Sequence, residues 1–124
     1  MRTATFTRLP ALDYLCTEAI NTLCTNLTFM GSKYKKIMVT SVNGMEGKTF
    51  LSLQIMRTLA DLGKSVVLVD ADLRRSMIDA RYRVRYSEGE KLGITHFLAG
   101  KCDIEDIFYE TDCKRAYYIP VGYA

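Results

Sequence analysis

Apolar residues recur at helical spacing after Pro10. Leu12, Cys16, Ala19, Ile20, Leu23 and Leu27 share one side, with Thr17, Glu18, Asn21 and Thr25 opposite, which predicts one amphipathic helix. The polar, glycine-containing stretch MGSKYK breaks the pattern, and Ile37, Met38 and Val39 with Thr40 then read as a short buried strand. From Lys48 to Leu62 the helical period returns. Leu51, Ile55, Leu59 and Leu62, widened by Phe50, Leu53, Met56 and Ala60, oppose Gln54, Arg57, Thr58 and Asp61. Gly63 suits a left-handed stop. The run SVVLVD follows, apolar on both faces as strands of a parallel sheet covered by helices are. Strand, loop, helix and strand make a βαβ unit, whose crossover is expected to be right-handed.

Beyond Asp70 the pattern loosens. DARYRVRYSEGEKLG is polar and charged without sustained periodicity and reads as a loop, with a turn of helix near Met77. Short helices are expected over Ile94 to Leu98 and over Asp103 to Tyr109, with Asp103 as N-cap. AYYIPV reads as a third strand that Pro120 places at an end or an edge. The fold class is therefore α/β: a P-loop NTPase-like parallel sheet flanked by helices. Its expected organisation is an N-terminal segment with the amphipathic helix, 1–35, and a nucleotide-binding portion, 36–124, in one domain overall.

The 124 residues, 48% hydrophobic and 25% charged, suit one soluble core. A net charge of +3 is too small to argue for nucleic acid, and the local cluster Arg74, Arg75, Arg81, Arg83 and Arg85 reads first as a solvated loop. Cys16, Cys24, Cys102 and Cys113 lack paired metal or redox spacing and read as reduced thiols. The N-terminus has no apolar signal core, and no apolar run approaches the ~20 residues that span a bilayer. The expectation is a cytoplasmic location, or a peripheral one at the inner face of the membrane through a partner.

The segment SVNGMEGKTF, Ser41 to Phe50, ends in Gly47-Lys48-Thr49 but has Val42 where the phosphate-loop pattern opens with glycine. Roughly one chain in twenty of this length carries such a tripeptide by chance. Context sharpens it, because the tripeptide sits between an expected buried strand and a helix N-terminus. Backbone N–H groups around Gly44 to Thr49 can then face phosphate oxygens, aided by the helix dipole. Lys48 suits the β and γ phosphates, and the Thr49 hydroxyl suits Mg²⁺. The bland alternative is a glycine-containing βα turn whose lysine faces water. Asp70 and Asp72, at the carboxyl end of the next strand, lie where α/β sheets bind ligands, and carboxylates beside a triphosphate fit a metal or a base.

Taken together, TSVNGMEGKTF, VVLVDADLRR, EAINTLCTNLTF and GITHFLAG resemble the bacterial tyrosine kinases of capsular and exopolysaccharide biosynthesis, from about Glu18 to Gly122. The resemblance implies a Walker A loop and a Walker A′ motif, hydrophobic run followed by D-x-D-x-R, that Asp70, Asp72 and Arg74 match. It also removes the objection to Val42, since that family's loop does not require the outermost glycine. The implied nucleotide-binding residues are Gly44, Met45, Glu46, Gly47, Lys48, Thr49 and Phe50 with Arg74; the implied metal ligands are Thr49 and Asp72. Lys48, Asp70 and Asp72 are the implied catalytic residues, Asp70 as the base for a tyrosine hydroxyl. The cofactors implied are ATP and Mg²⁺. The partners implied are a transmembrane polysaccharide chain-length regulator that activates the kinase, protein tyrosine substrates and copies of the chain itself, and not nucleic acid.

The chain departs from that family at three places. Met45 stands where glycine is usual. The oligomerisation pattern E-x-x-R-x-x-R is met by Glu18, then Asn21 and Cys24. The sequence ends at AYYIPVGYA, before a Walker B aspartate or a tyrosine-rich tail, and so reads as the N-terminal portion of such a domain, incomplete at the C-terminus. Two other readings stay open. One is a deviant-Walker ATPase of the partitioning or cell-division type, against which Asn43 stands at the signature lysine position; the other is a catalytically inactive nucleotide-binding regulatory module. His96, the single histidine, is expected to be a partly exposed structural residue.

Overall fold

A computed structural model of the chain describes residues 2–7, 13–29, 48–72, 78, 82–87 and 91–122. The first helix, α1 (Tyr14–Phe29), starts on Asp13. The Asp13 carboxylate accepts the Cys16 N–H at 2.8 Å and its carbonyl accepts the Thr17 N–H at 3.0 Å, an N-cap that satisfies a donor the helix cannot. The Cys16 hydrogen bonds hold this carboxyl below the usual carboxylate range. α1 buries Ile20 and Cys24 against Ile55 and Leu59 of α2 (Lys48–Asp61). The contact is a narrow seam, so Cys16, Ala19 and Leu23 of the expected apolar stripe face outward, while Thr17, expected on the polar side, is half-buried.

Gly63 ends α2 as expected, with φ +94°. The Gly63 N–H reaches the Ala60 carbonyl and the Lys64 N–H reaches that of Leu59, at 3.0 and 3.1 Å, the paired bonds of a Schellman stop. The Arg115 guanidinium also donates two bonds to the Ala60 carbonyl, at 2.7 and 3.1 Å, placing a cation at the negative end of the helix. Gln54, expected on the polar side of α2, is buried, and its Nε2 has no hydrogen-bond partner among the described residues.

Strand β2 (Val66–Val69) pairs in parallel with β5 (Ala116–Ile119), from Val66 opposite Ala116 to Val69 opposite Ile119. Pro120 lies just past β5, as its missing N–H requires. β4 (Tyr109–Glu110) runs antiparallel on the other edge of β5. The expected strand at 37–40 lies outside the described residues, and with it the handedness of the crossover.

Two expectations fail here. β2 is not covered on both faces: Val66 and Leu68 are half-buried, whereas Val67 and Val69 are 42% and 45% exposed. This is the period-two burial of a strand with one covered face. Nor is the segment after Arg81 all loop, since β3 (Val84–Tyr86) pairs antiparallel with β1 (Ala4–Phe6). Three-residue strands whose partners lie some eighty positions away leave no periodicity to read. The helical turn expected near Met77 has a described counterpart at Ile78, whose carbonyl accepts the Tyr82 N–H at 3.0 Å.

The core gathers Ala4, Phe6, Leu53, Met56, Ile78 and Tyr118 between α2 and the sheet. Phe6 meets Tyr118 edge to face at 5.1 Å, and Tyr86 meets Tyr109 the same way at 5.1 Å. Such pairs contribute about 0.5–1.5 kcal/mol beyond area burial. The Tyr109 hydroxyl is satisfied by the backbone of Leu92, donating to its carbonyl and accepting its N–H, both at 3.1 Å.

Helix α3 (Ile94–Leu98) matches its expected span. The expected helix from Asp103 is a shorter 3-10 helix (Ile104–Ile107), with Asp103 as its N-cap residue, and the Asp103 N–H donates to the Asp106 carboxylate at 2.9 Å.

Candidate nucleotide site

Only four residues separate α2 from β2, so helix and strand run antiparallel and the start of α2 lies at the same end as the finish of β2. Lys48 and Thr49 are the first two residues of α2. Asp70 follows β2 directly and is buried, at 6% exposure. Its N–H donates to the Ile119 carbonyl at 2.9 Å, extending the β2–β5 ladder by one rung. Asp72 is exposed, and its N–H donates to Asp70 Oδ1 at 3.2 Å. That bond is a local Asx-type turn: it bends the chain away from the sheet and leaves both carboxyl groups at the strand's carboxyl end.

Asp70 and Asp72 are thus brought together, at the end of the sheet where Lys48 and Thr49 begin their helix. Gly44, Met45, Glu46, Gly47 and Arg74 lie outside the described residues. Phe50 is half-buried and packs on the core that holds Leu53 and Tyr118. The carboxylate oxygens of Asp70 and Asp72 are donors of the kind a hard cation takes. Among the described residues no group of three or more His, Cys, Asp or Glu is arranged to hold a metal, so a cation here would need other ligands, such as phosphate oxygens.

Other candidate chemistry is weaker. All four cysteines are free. Burial raises the Cys24, Cys102 and Cys113 thiols above the usual value, and the Asp13 carboxylate does the same to Cys16. Thiols of this kind are poor nucleophiles at neutral pH. His96 is buried, not partly exposed, and its Nδ1 accepts the Gly93 N–H at 3.0 Å, a structural role. A cavity of about 450 Å³ lined by Met56, Arg57, Asp61 and Cys113 lies toward the other end of α2, Met56 being roughly 12 Å along the helix from Lys48.

The sequence matches the CobQ/CobB/MinD/ParA nucleotide binding domain over residues 37–111. The chain belongs to this family. Its curated relatives include Tyrosine-protein kinase CpsD of Streptococcus pneumoniae, 38% identical over 106 residues, which cover 85% of this chain and 45% of the relative. Among solved structures, the BceF tyrosine kinase domain is similar with a TM-score of 0.74 and 32% identity, over 88% of this chain and 42% of that one. The kinase domain of Escherichia coli tyrosine kinase ETK has a TM-score of 0.74 and 26% identity, over 86% of this chain and 41% of that one. The resemblance to bacterial tyrosine kinases and the P-loop NTPase-like α/β class are borne out. The chain spans less than half the length of these three proteins.

Gly93 and Gly122, to which the sequence assigned no role, pack against each other beside His96. The available signal was a glycine three residues before the histidine and another just past a strand end.

Proposed function

We propose that the chain supplies the ATP-binding part of an autophosphorylating protein-tyrosine kinase that regulates capsular or exopolysaccharide biosynthesis. The observation that carries this reading is the buried Asp70 beside Asp72 at the carboxyl end of β2, at the same end as Lys48 and Thr49. Its 38% identity to a protein named Tyrosine-protein kinase CpsD supports the choice of reaction.

In this reading Gly44 to Phe50 wrap the phosphates, with Arg74 beside them, and Lys48 neutralises the phosphate charge. Thr49 and Asp72 hold Mg²⁺, directly or through water. Asp70, partly desolvated, takes the proton of the attacking tyrosine hydroxyl. Bound Mg–ATP supplies the phosphoryl group. Residues 36–124 form the nucleotide-binding portion and 1–35 carry the helix that leans on it. Among the described residues no helix is long and apolar enough to cross a membrane. The proposed setting is the cytoplasm, docked at the inner face of the membrane on a transmembrane polysaccharide chain-length regulator, with copies of the chain and tyrosine-bearing proteins as further partners.

Titration of the purified chain with fluorescent ATP, with and without Mg²⁺, tests the site. Saturable, Mg²⁺-dependent binding that Lys48→Ala abolishes is expected. A folded chain that binds equally well as Lys48→Ala overturns the assignment. Phosphotyrosine formed on incubation with Mg–ATP reads the transfer itself.

A further inference from the structure

We infer that His96 is a positioning residue for the nucleotide site, locking the N-terminus of α3 onto Gly122 and so setting the segment Pro120–Gly122 beside Asp70. The inference rests on the nucleotide reading above.

Three contacts build the lock. The Ile94 and Thr95 N–H groups, donors that a helix start leaves unsatisfied, are taken by the carbonyls of Pro120 at 2.8 Å and Val121 at 3.0 Å. His96 reaches back as a capping-box residue does, its Nδ1 accepting the Gly93 N–H at 3.0 Å. With Nδ1 as acceptor, the neutral ring carries its proton on Nε2. Finally, Gly93 and Gly122 touch backbone to backbone. A Cβ on Gly93 would overlap the Gly122 nitrogen, and one on Gly122 would overlap Thr95 Oγ1 and come within 2.9 Å of His96 Nδ1. Gly122 has φ +96°, a conformation that favours glycine on its own account.

What the lock holds is the exit of β5. Because β5 is parallel to β2, its carboxyl end lies with that of β2, and Ile119, the last residue of β5, already accepts the Asp70 N–H. Ligands of open α/β sheets sit outside the carboxyl ends of the strands, so the segment leaving β5 borders the same space as Asp70. The first donors of α3 are spent on this segment and not offered to a phosphate. The helix therefore places a wall of the site, and His96 keeps that helix start and Gly122 in register.

The test compares Mg–ATP affinity in the parent chain, His96→Leu, His96→Asn and Lys48→Ala, each checked for folding by circular dichroism. His96→Leu removes the acceptor and is expected to weaken affinity about tenfold, the scale of one lost buried hydrogen bond. His96→Asn, with a carbonyl oxygen near the Nδ1 position, is expected to recover it to within about twofold. A folded His96→Leu that binds like the parent overturns the inference, even if it melts earlier. Parent-like binding by Lys48→Ala would instead remove the nucleotide reading itself. Should His96→Leu not fold, amide exchange in the parent decides. Mg–ATP is expected to slow exchange at Val121 and Gly122, and unchanged exchange there, with protection elsewhere, overturns the inference.

Discussion

Asp72 donates its backbone N–H to Oδ1 of Asp70, two residues upstream, at 3.2 Å. The buried carboxylate therefore shapes the turn as well as carrying charge, and the two duties can be separated by substitution. Asp70→Asn keeps an acceptor at the same place and removes the charge. It is expected to melt close to the parent and to bind Mg–ATP, but to lose most phosphotyrosine formation. Asp70→Ala loses both and is expected to be less stable by about 1–3 kcal/mol. Thermal melts beside phosphotyrosine assays check this; parent-like phosphotyrosine formation by Asp70→Asn would refute the role of base.

Cys24 is fully buried in the seam between α1 and α2, whereas Asn21 is exposed. Cys24→Arg is expected to destabilise by about 3 kcal/mol or more, because it buries an unpaired charge. Asn21→Arg is expected to stay within about 0.5 kcal/mol of the parent. Urea denaturation reads both. Parent-like stability of Cys24→Arg would mean that the seam opens readily.

Gly93 and Gly63 separate two reasons for glycine. Gly63 has φ +94° with open space around it, so Gly63→Ala meets only backbone strain, about 1 kcal/mol. Gly93 is extended, but a Cβ there would overlap the Gly122 backbone. Gly93→Ala is expected to cost more than Gly63→Ala, about 2 kcal/mol or more on the scale of overpacked sites. Reversal of that order in chemical denaturation would contradict the packing of α3 on Gly122.

The buried Gln54 amide has an Nε2 without a partner among the described residues. Gln54→Met keeps the volume and removes a donor that folding strips of water, so it is expected to be neutral or to raise stability by about 1 kcal/mol. A loss of more than about 1 kcal/mol by urea denaturation would show that the amide is satisfied in solution.

Asp13 caps α1, and its pKa is lowered by the Cys16 hydrogen bonds. A depressed carboxyl stabilises the fold above its unfolded pKa, about 4, and loses that contribution as pH falls through the folded value. Asp13→Ala is expected to melt earlier than the parent at pH 7, the difference shrinking as pH drops below about 4. A gap that stays constant down to acid pH would separate the cap from its charge.

Patterns that close over a few residues were readable from the chain alone. The 3.6 period marked α2, Gly63 marked its end, and an apolar run followed by Asp-Ala-Asp marked the carboxyl end of β2. All of these depend on neighbours within about one or two helical turns, where sequence spacing determines geometry. The face a residue shows and the distant partner it meets were decided by packing. α2 offers α1 only a narrow seam, so Cys24 is buried while Leu23 is not. Val67 is as apolar as Val66, and only the side taken by α2 distinguishes them. β1 finds β3 about eighty residues away, and Gly93 meets Gly122 across the whole of β4 and β5. Such pairings arise from three-dimensional closure of the chain, which no local period encodes.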